Sequence, residues 1–252
     1  MNLESSLNEV LEILVNNQSN SSITTEELIH TLDLTLLDEH VSLESLSQLN
    51  QDACRNHVAA VCVYSKHLSE FQQLDAIELA TVINFPEGNE KLACSLQSIE
   101  RAAQLGATEI DYVLPYRLYL DGKKHLTLTQ CHTVIEFCKH YNLTTKIILE
   151  TGVFSEIECI YELSKNLIEL GCNFLKTSTG KIAQGASLPA VFTIISAIKD
   201  SKKNCGLKIS GGIKKSVQAF NYAQLAELMM AKKIDKSWFR IGATSLLNEL
   251  TK

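Results

Sequence analysis

Two lysines carry the strongest chemical signal in this chain. Lys176 closes the short apolar run Asn173-Phe174-Leu175 and opens the polar stretch Thr177-Ser178-Thr179-Gly180-Lys181. Lys208 repeats the arrangement in Gly206-Leu207-Lys208-Ile209-Ser210-Gly211-Gly212. A lysine at the end of a buried strand keeps its stem among apolar atoms and its amine at the mouth of a cleft. Desolvation there disfavours the ammonium and frees a nucleophilic amine. An unperturbed lysine, with a pKa near 10.4, is under roughly 0.1% free amine at pH 7. Lowering that pKa to about 7–8 raises the fraction by two to three orders of magnitude. Burial and a like-charged neighbour are the two available causes, and Lys176 and Lys208 are one βα unit apart. An aspartate raises the pKa of a lysine it touches. If Lys176 is the nucleophile, Asp111 of Glu109-Ile110-Asp111-Tyr112-Val113-Leu114 is therefore expected nearer Lys208 than Lys176. A lone strand-end lysine is more often one that merely snorkels to solvent. Two lysines and an aspartate at matching strand ends favour chemistry.

Those ends must be supplied by strands. Apolar runs with strand character recur at Ile29 to Leu34, Val58 to Tyr64, Glu78 to Asn84, Glu109 to Leu114, Lys146 to Thr151, Asn173 to Lys176, Gly206 to Ser210 and Phe239 to Gly242. Helical periodicity lies between them, clearest at Glu90 to Leu105, Leu128 to Tyr141, Ser155 to Leu170, Leu188 to Ile198 and Ser216 to Met230. Leu3, Leu7, Val10, Leu11, Leu14 and Val15 have the spacing of an additional leading helix, followed by a polar linker from Asn16 to Ser22. Thr24 and Thr25 ahead of Glu27 mark another helix start. Eight strands alternating with helices over 252 residues predict one (β/α)8 barrel domain with an extra N-terminal helix. The main rival, a doubly wound open sheet for dinucleotides, is weakened because no G-x-G-x-x-G follows the first strand.

A barrel puts its reactive groups at the C-terminal ends of its strands. That filter selects Asp33, Asp111, Lys176 and Lys208. A phosphate site is expected where the loops after strands seven and eight meet, at Ser210-Gly211-Gly212 near Lys214 and at Gly242-Ala243-Thr244-Ser245. Glycines let backbone N–H groups approach an oxyanion. The plainer alternative is two turns with Thr244 or Ser245 capping a helix. Gly180-Lys181 is not a P-loop, because Ile182 stands where Ser or Thr is required and Leu175 where a glycine is required. The histidines form no H-E-x-x-H pattern, so no metal site is expected. His132 and His140 read as surface residues.

The net charge is −6, with both signs scattered. No basic block points to nucleic acid, which leaves a locally positive site for a phosphorylated small molecule compatible with the composition. The eight cysteines form no C-x-x-C pair and read as reduced thiols. No basic-flanked signal segment and no apolar run of about 20 residues is present, so a cytoplasmic location without membrane contact is expected.

With these residues in place, the chain resembles the deoxyribose-phosphate aldolases, class I enzymes that work through a Schiff base. The resemblance runs from about Ile29 to Leu247 and is most specific at Lys176-Thr177-Ser178-Thr179-Gly180-Lys181. Supporting segments are Asp33-Leu34-Thr35, Ala60-Val61-Cys62-Val63-Tyr64, Asn84-Phe85-Pro86-Glu87-Gly88-Asn89, the stretch Glu109 to Arg117, Glu150-Thr151-Gly152 and Gly242-Ala243-Thr244-Ser245. The resemblance implies a (β/α)8 barrel and reversible cleavage of 2-deoxy-D-ribose 5-phosphate to acetaldehyde and D-glyceraldehyde 3-phosphate, with no cofactor. It implies Lys176 as the imine-forming residue. Lys208 would lower the Lys176 pKa and, with Asp111, orient a proton-relaying water. Asp33 and Cys62 would line the pocket. Thr179, Gly180, Lys181, Gly211, Gly212, Gly242, Thr244 and Ser245 would serve substrate hydroxyl and phosphate groups. A homo-oligomer is expected, a dimer first.

Three departures stand out. Ile209-Ser210 replaces the family's common Pro-Ala. Lys214 replaces an arginine, keeping charge without a bidentate fork. The chain ends at Leu250-Thr251-Lys252 without the tyrosine-ended tail of some members. The competing readings are a Schiff-base aldolase for another sugar phosphate and a non-catalytic sugar-phosphate-binding barrel.

Overall fold

A computed structural model describes residues 3–17, 22–71, 74 and 76–252. Eight parallel strands follow one another around a closed barrel: β1 (Leu32–Leu36), β2 (Ala60–Val63), β3 (Glu78–Ile83), β4 (Glu109–Val113), β5 (Thr144–Ile148), β6 (Phe174–Lys176), β7 (Gly206–Ser210) and β8 (Phe239–Ala243). β8 pairs back onto β1, with Asp33 opposite Gly242. The helices are α1 (Leu3–Asn17), α2 (Thr25–Ile29), α3 (Leu43–Asn56), α4 (Leu92–Gln104), α5 (Tyr116–Leu120), α6 (Lys124–His140), α7 (Ile157–Glu169), α8 (Leu188–Ser201), α9 (Ser216–Met230) and α10 (Leu246–Leu250). The (β/α)8 barrel expected from the alternation is the architecture observed.

One local difference has a clear physical cause. The first strand was expected from Ile29, but Leu28 and Ile29 belong to α2. Thr24 and Glu27 form a reciprocal capping box, with Glu27 N donating to Thr24 Oγ1 at 3.1 Å and Thr24 N to Glu27 Oε2 at 2.7 Å. That cap holds one more helical turn, and β1 begins at Leu32. The β2–β3 crossover carries a 3-10 turn, Ser65–Glu70, and no α-helix among its described residues. Part of the expected Asn16–Ser22 linker lies outside the described residues.

Several helices cover α8. Residues Ala190 to Ile198 are buried without interruption, so α8 has no solvent face over that span. α1 contacts α8 and α9, and buries Leu3 and Leu14 in doing so. α7 and α9 pack more extensively on α8, and α1 adds to that cover.

Strand alternation sends Ile110, Tyr112, Leu207 and Ile209 into the apolar layer between sheet and helices. The opposite parity points into the barrel. On β2 and β3 it supplies a small apolar cluster of Cys62, Ala80 and Val82. On β1, β4, β5, β6, β7 and β8 it supplies charges.

Candidate active site

Lys176 ends β6 and is in direct Cα register with Lys208 on β7. Both ammonium positions converge on one carboxylate: Asp111 Oδ2 accepts from Lys176 Nζ at 2.7 Å and from Lys208 Nζ at 2.7 Å. Asp111 is therefore not nearer Lys208, contrary to the expectation drawn from the sequence. β6 and β7 lie two and three strands round the barrel from β4. Two long lysine stems can reach one short aspartate from different strands, a freedom the one-dimensional argument lacked.

Equal distances do not make the lysines equivalent. Burial pushes the Lys176 pKa below its ordinary value; Asp111 opposes this, and the Lys208 ammonium reinforces it. Burial also works against the Lys208 charge, but Asp111 and Asp33 together outweigh it and hold that ammonium above its ordinary range. The difference is Asp33, whose Oδ2 lies 2.6 Å from Lys208 Nζ as a close ion pair without hydrogen-bond alignment. Burial opposes ionisation of Asp111 as well, yet Lys146, Lys176 and Lys208 keep its carboxyl well below the usual range. The shifts move Lys176 towards its amine while holding Lys208 as an ammonium and Asp111 as a carboxylate.

Asp33, expected at the pocket wall, is turned into the barrel interior and fully buried. Its Oδ1 accepts from Arg240 Nη1 at 2.7 Å, and its Oδ2 lies 3.5 Å from Lys146 Nζ. Thr35, two residues on, lines the cavity instead. Cys62 faces the barrel interior among apolar neighbours. Burial raises its thiol pKa, which keeps it protonated.

A cavity of about 240 Å³ opens above Lys176. Its wall includes Thr179, Gly180, Lys181, Gly211, Gly212, Gly242, Thr244 and Ser245, so the structure gathers these expected residues around one space. The loops after β6 and β7 are stitched together. Thr177 Oγ1 donates to Ser210 O and accepts from Ser210 N, each at 3.0 Å. Ser210 Oγ donates to Ser178 O at 2.6 Å. That last bond ties down the segment that lacks the family's proline. Gly211 has φ +95°, and its carbonyl approaches Gly185 so closely that a Cβ on Gly185 would lie 2.3 Å from it. At Gly242 a Cβ would lie 3.0 Å from Lys208 Cε, so the missing side chain makes room for the lysine. Ser245 makes no side-chain capping bond to α10, which leaves its hydroxyl available.

Sequence reading passed over several buried charged residues. Lys146 contacts Glu109, Asp111 Oδ1 at 3.0 Å and Asp33. Arg240 bridges Asp33 and Glu109. Glu150, at a left-handed φ of 56°, accepts from the backbone N of Thr179 at 3.2 Å and from its hydroxyl. Burial raises the Glu150 carboxyl above its ordinary value, while the bonds from Thr179 oppose that shift. The available signal was parity: a charge inside a short apolar strand is seldom buried unless paired, and Lys146, Glu109 and Arg240 all share the inward face.

Among the described residues no group of His, Cys, Asp and Glu could hold a metal ion, and no helix is long and apolar enough to cross a membrane. The family model of DeoC/LacD family aldolases matches residues 19–252. A deoxyribose-phosphate aldolase from Agrobacterium fabrum is 36% identical over 226 residues, covering 87% of each chain. Among solved structures, the tetrameric deoxyribose phosphate aldolase of Aeropyrum pernix superposes with a TM-score of 0.79 at 23% identity, covering 95% of each chain. An aldolase designated QR15 gives 0.78 at 23% identity, over 89% of this chain and 95% of its own. At these identities the structural likeness speaks for the fold, while the family and sequence matches speak for kinship.

Proposed function

The chain belongs to the DeoC/LacD family of aldolases, and from that membership we propose that it reversibly cleaves 2-deoxy-D-ribose 5-phosphate through an imine on Lys176. The observation that carries the assignment of Lys176 is its setting. It is a buried lysine at the floor of the cavity, and burial favours its amine over its ammonium.

The Lys176 amine attacks the open-chain aldehyde carbon, and the resulting carbinolamine takes up one proton from solvent and loses water to give a protonated imine. The hydroxyl on C3 gives up its proton and the C2–C3 bond breaks. Its electron pair moves into the iminium to form an enamine, and D-glyceraldehyde 3-phosphate leaves. Protonation of the enamine at C2 and hydrolysis of the imine release acetaldehyde and restore the amine. Lys208 and Asp111 are each held in one charge state, so they suit orienting a proton-carrying water better than storing a proton. Thr179, Gly180, Lys181, Gly211, Gly212, Gly242, Thr244 and Ser245 receive the hydroxyl and phosphate groups, with Lys214 adding positive charge nearby.

Borohydride trapping with 2-deoxyribose 5-phosphate, followed by peptide mass mapping, tests the assignment. An adduct on Lys176 alone is expected. An adduct on Lys208 instead would reverse the lysine roles. No adduct, where a known Schiff-base aldolase is trapped, would favour a binding-only barrel. A panel of sugar phosphates separates this substrate from another.

Self-association is part of the same reading, since the related Aeropyrum pernix chain is tetrameric. Light scattering at micromolar concentration would decide between a dimer and a larger assembly. The eight free cysteines suit a reducing compartment such as the cytoplasm.

A further inference from the structure

Beneath the cavity, the ion pairs form one connected cluster. Lys176 and Lys208 share Asp111. Lys208 and Lys146 reach Asp33, Lys146 reaches Glu109 and Asp111, and Arg240 bridges Asp33 and Glu109. Three carboxylates, Asp33, Glu109 and Asp111, face three cations, Lys146, Lys208 and Arg240, with Lys176 as the seventh group. The formal charges cancel when Lys176 is a free amine and leave one surplus positive charge when it is an ammonium. Burial makes such a surplus costly, because the low-dielectric interior screens it weakly.

We propose that Arg240 and Glu109 are positioning residues that set this charge balance and so keep Lys176 as the amine, although neither touches the cavity or Lys176. The inference rests on the Schiff-base reading of Lys176. The two residues act from the far end of the cluster. Arg240 packs over the Phe174 ring at 5.5 Å and neutralises Asp33 and Glu109. That leaves Asp111, among the described residues, as the one carboxylate hydrogen-bonded to Lys176. The other titratable groups around Lys176 are Cys62, held as a thiol, and Glu150, which bonds to Thr179 and makes no ion pair with the cluster. Glu78 at the start of β3 is the further carboxylate acting on Arg240.

Removing the charge of Arg240 leaves one carboxylate unbalanced, which Lys176 can satisfy by keeping its proton. Removing the charge of Glu109 leaves one surplus positive charge even with Lys176 neutral, and a proton on Lys176 would make it two, so the proton is disfavoured further. The two substitutions should therefore shift the pH dependence of imine formation in opposite directions. A purely structural role would lower both rates without opposed shifts.

The test follows cyanoborohydride trapping of 2-deoxyribose 5-phosphate on the full chain between pH 5 and 9. Arg240→Met is expected to raise the midpoint by at least about 0.5 pH unit, and Glu109→Gln to lower it by a similar amount. The double variant, whose formal charge matches the native cluster, should return towards the native midpoint. Unmoved midpoints, or shifts in the same direction, would overturn the proposal. If Arg240→Met does not fold, the near-isosteric Glu109→Gln decides alone: a midpoint that stays or rises overturns it. A native protein that traps no substrate on Lys176 would instead sink the Schiff-base reading itself, so the two failures are distinguishable.

Discussion

The floor and the rim of the cavity hold charge by opposite means. On the floor every charge meets another side chain: Lys176 and Lys208 reach one oxygen of Asp111, and Lys146 and Arg240 fill the remaining carboxylate positions below. None of these groups is more than 4% exposed. At the rim, Lys181 and Lys214 are exposed, Gly211 and Gly212 adopt positive φ, and Lys181 Nζ donates to Leu37 O at 3.0 Å rather than to a carboxylate. Buried charges couple strongly, so a change at one is felt throughout the cluster. Exposed charges are screened by water and salt, and their effects stay local. The floor couples the charge on Lys176 to its buried neighbours; the rim presents exposed positive charge. Floor substitutions should therefore alter turnover and its pH dependence, and rim substitutions chiefly affinity.

The largest effect is expected from Lys176→Arg. The guanidinium keeps the charge but is not nucleophilic, so turnover should fall by about 10⁴-fold or more while the fold persists. Steady-state kinetics with a thermal melt would check it, and near-native turnover would break the Schiff-base assignment.

Asp111→Asn comes next. It removes the carboxylate shared by both lysines, and kcat should fall about 10²–10³-fold with KM nearly unchanged. If KM rose sharply and kcat held, Asp111 would belong functionally with the rim.

Acid stability sharpens the contrast further. Asp33 and Asp111 have folded pKa values below their unfolded ones, so between the two values the unfolded chain binds more protons. Their stabilisation is complete above the ordinary carboxylate range, about pH 4, and is lost as pH falls through the folded values. The lowered Lys176 pKa adds a loss of stability as pH falls towards its folded value, and below about pH 4 urea midpoints should fall further, more shallowly for Asp111→Asn. An identical acid profile in that variant would show that the floor does not govern acid unfolding.

The smallest effect belongs to the rim. Lys214→Ala should raise KM for the phosphorylated substrate about 3–10-fold with kcat within twofold, and the penalty should shrink as salt rises. A loss confined to kcat would erase the distinction between floor and rim.

Much of this was legible along the chain. Alternating strand and helix patterns led to the barrel, and the strand-end rule selected Lys176, Lys208 and Asp111 without any contact being known. The Gly211-Gly212 loop after β7 and the Gly242 to Ser245 stretch at the end of β8 marked the rim because backbone torsion and close approach are local properties. Local signals also misled. Ile29 looked like a strand residue beside Leu32, and only the Thr24–Glu27 cap shows why it is helical.

What tertiary structure alone decided is which charges meet. Asp111 lies 65 residues from Lys176 and 97 from Lys208, and Asp33 lies 207 from Arg240. Parity says that each of these side chains points inward. It does not say how far up a tilted, closed barrel each one stands, or which partner a long stem will reach. That is why the sequence could nominate a nucleophilic lysine but placed Asp33 at the cavity wall and Asp111 nearer one lysine. Closure of the barrel put Asp33 under Lys208 and Asp111 between both amines, and that arrangement raises the pKa of Lys208 while burial lowers that of Lys176.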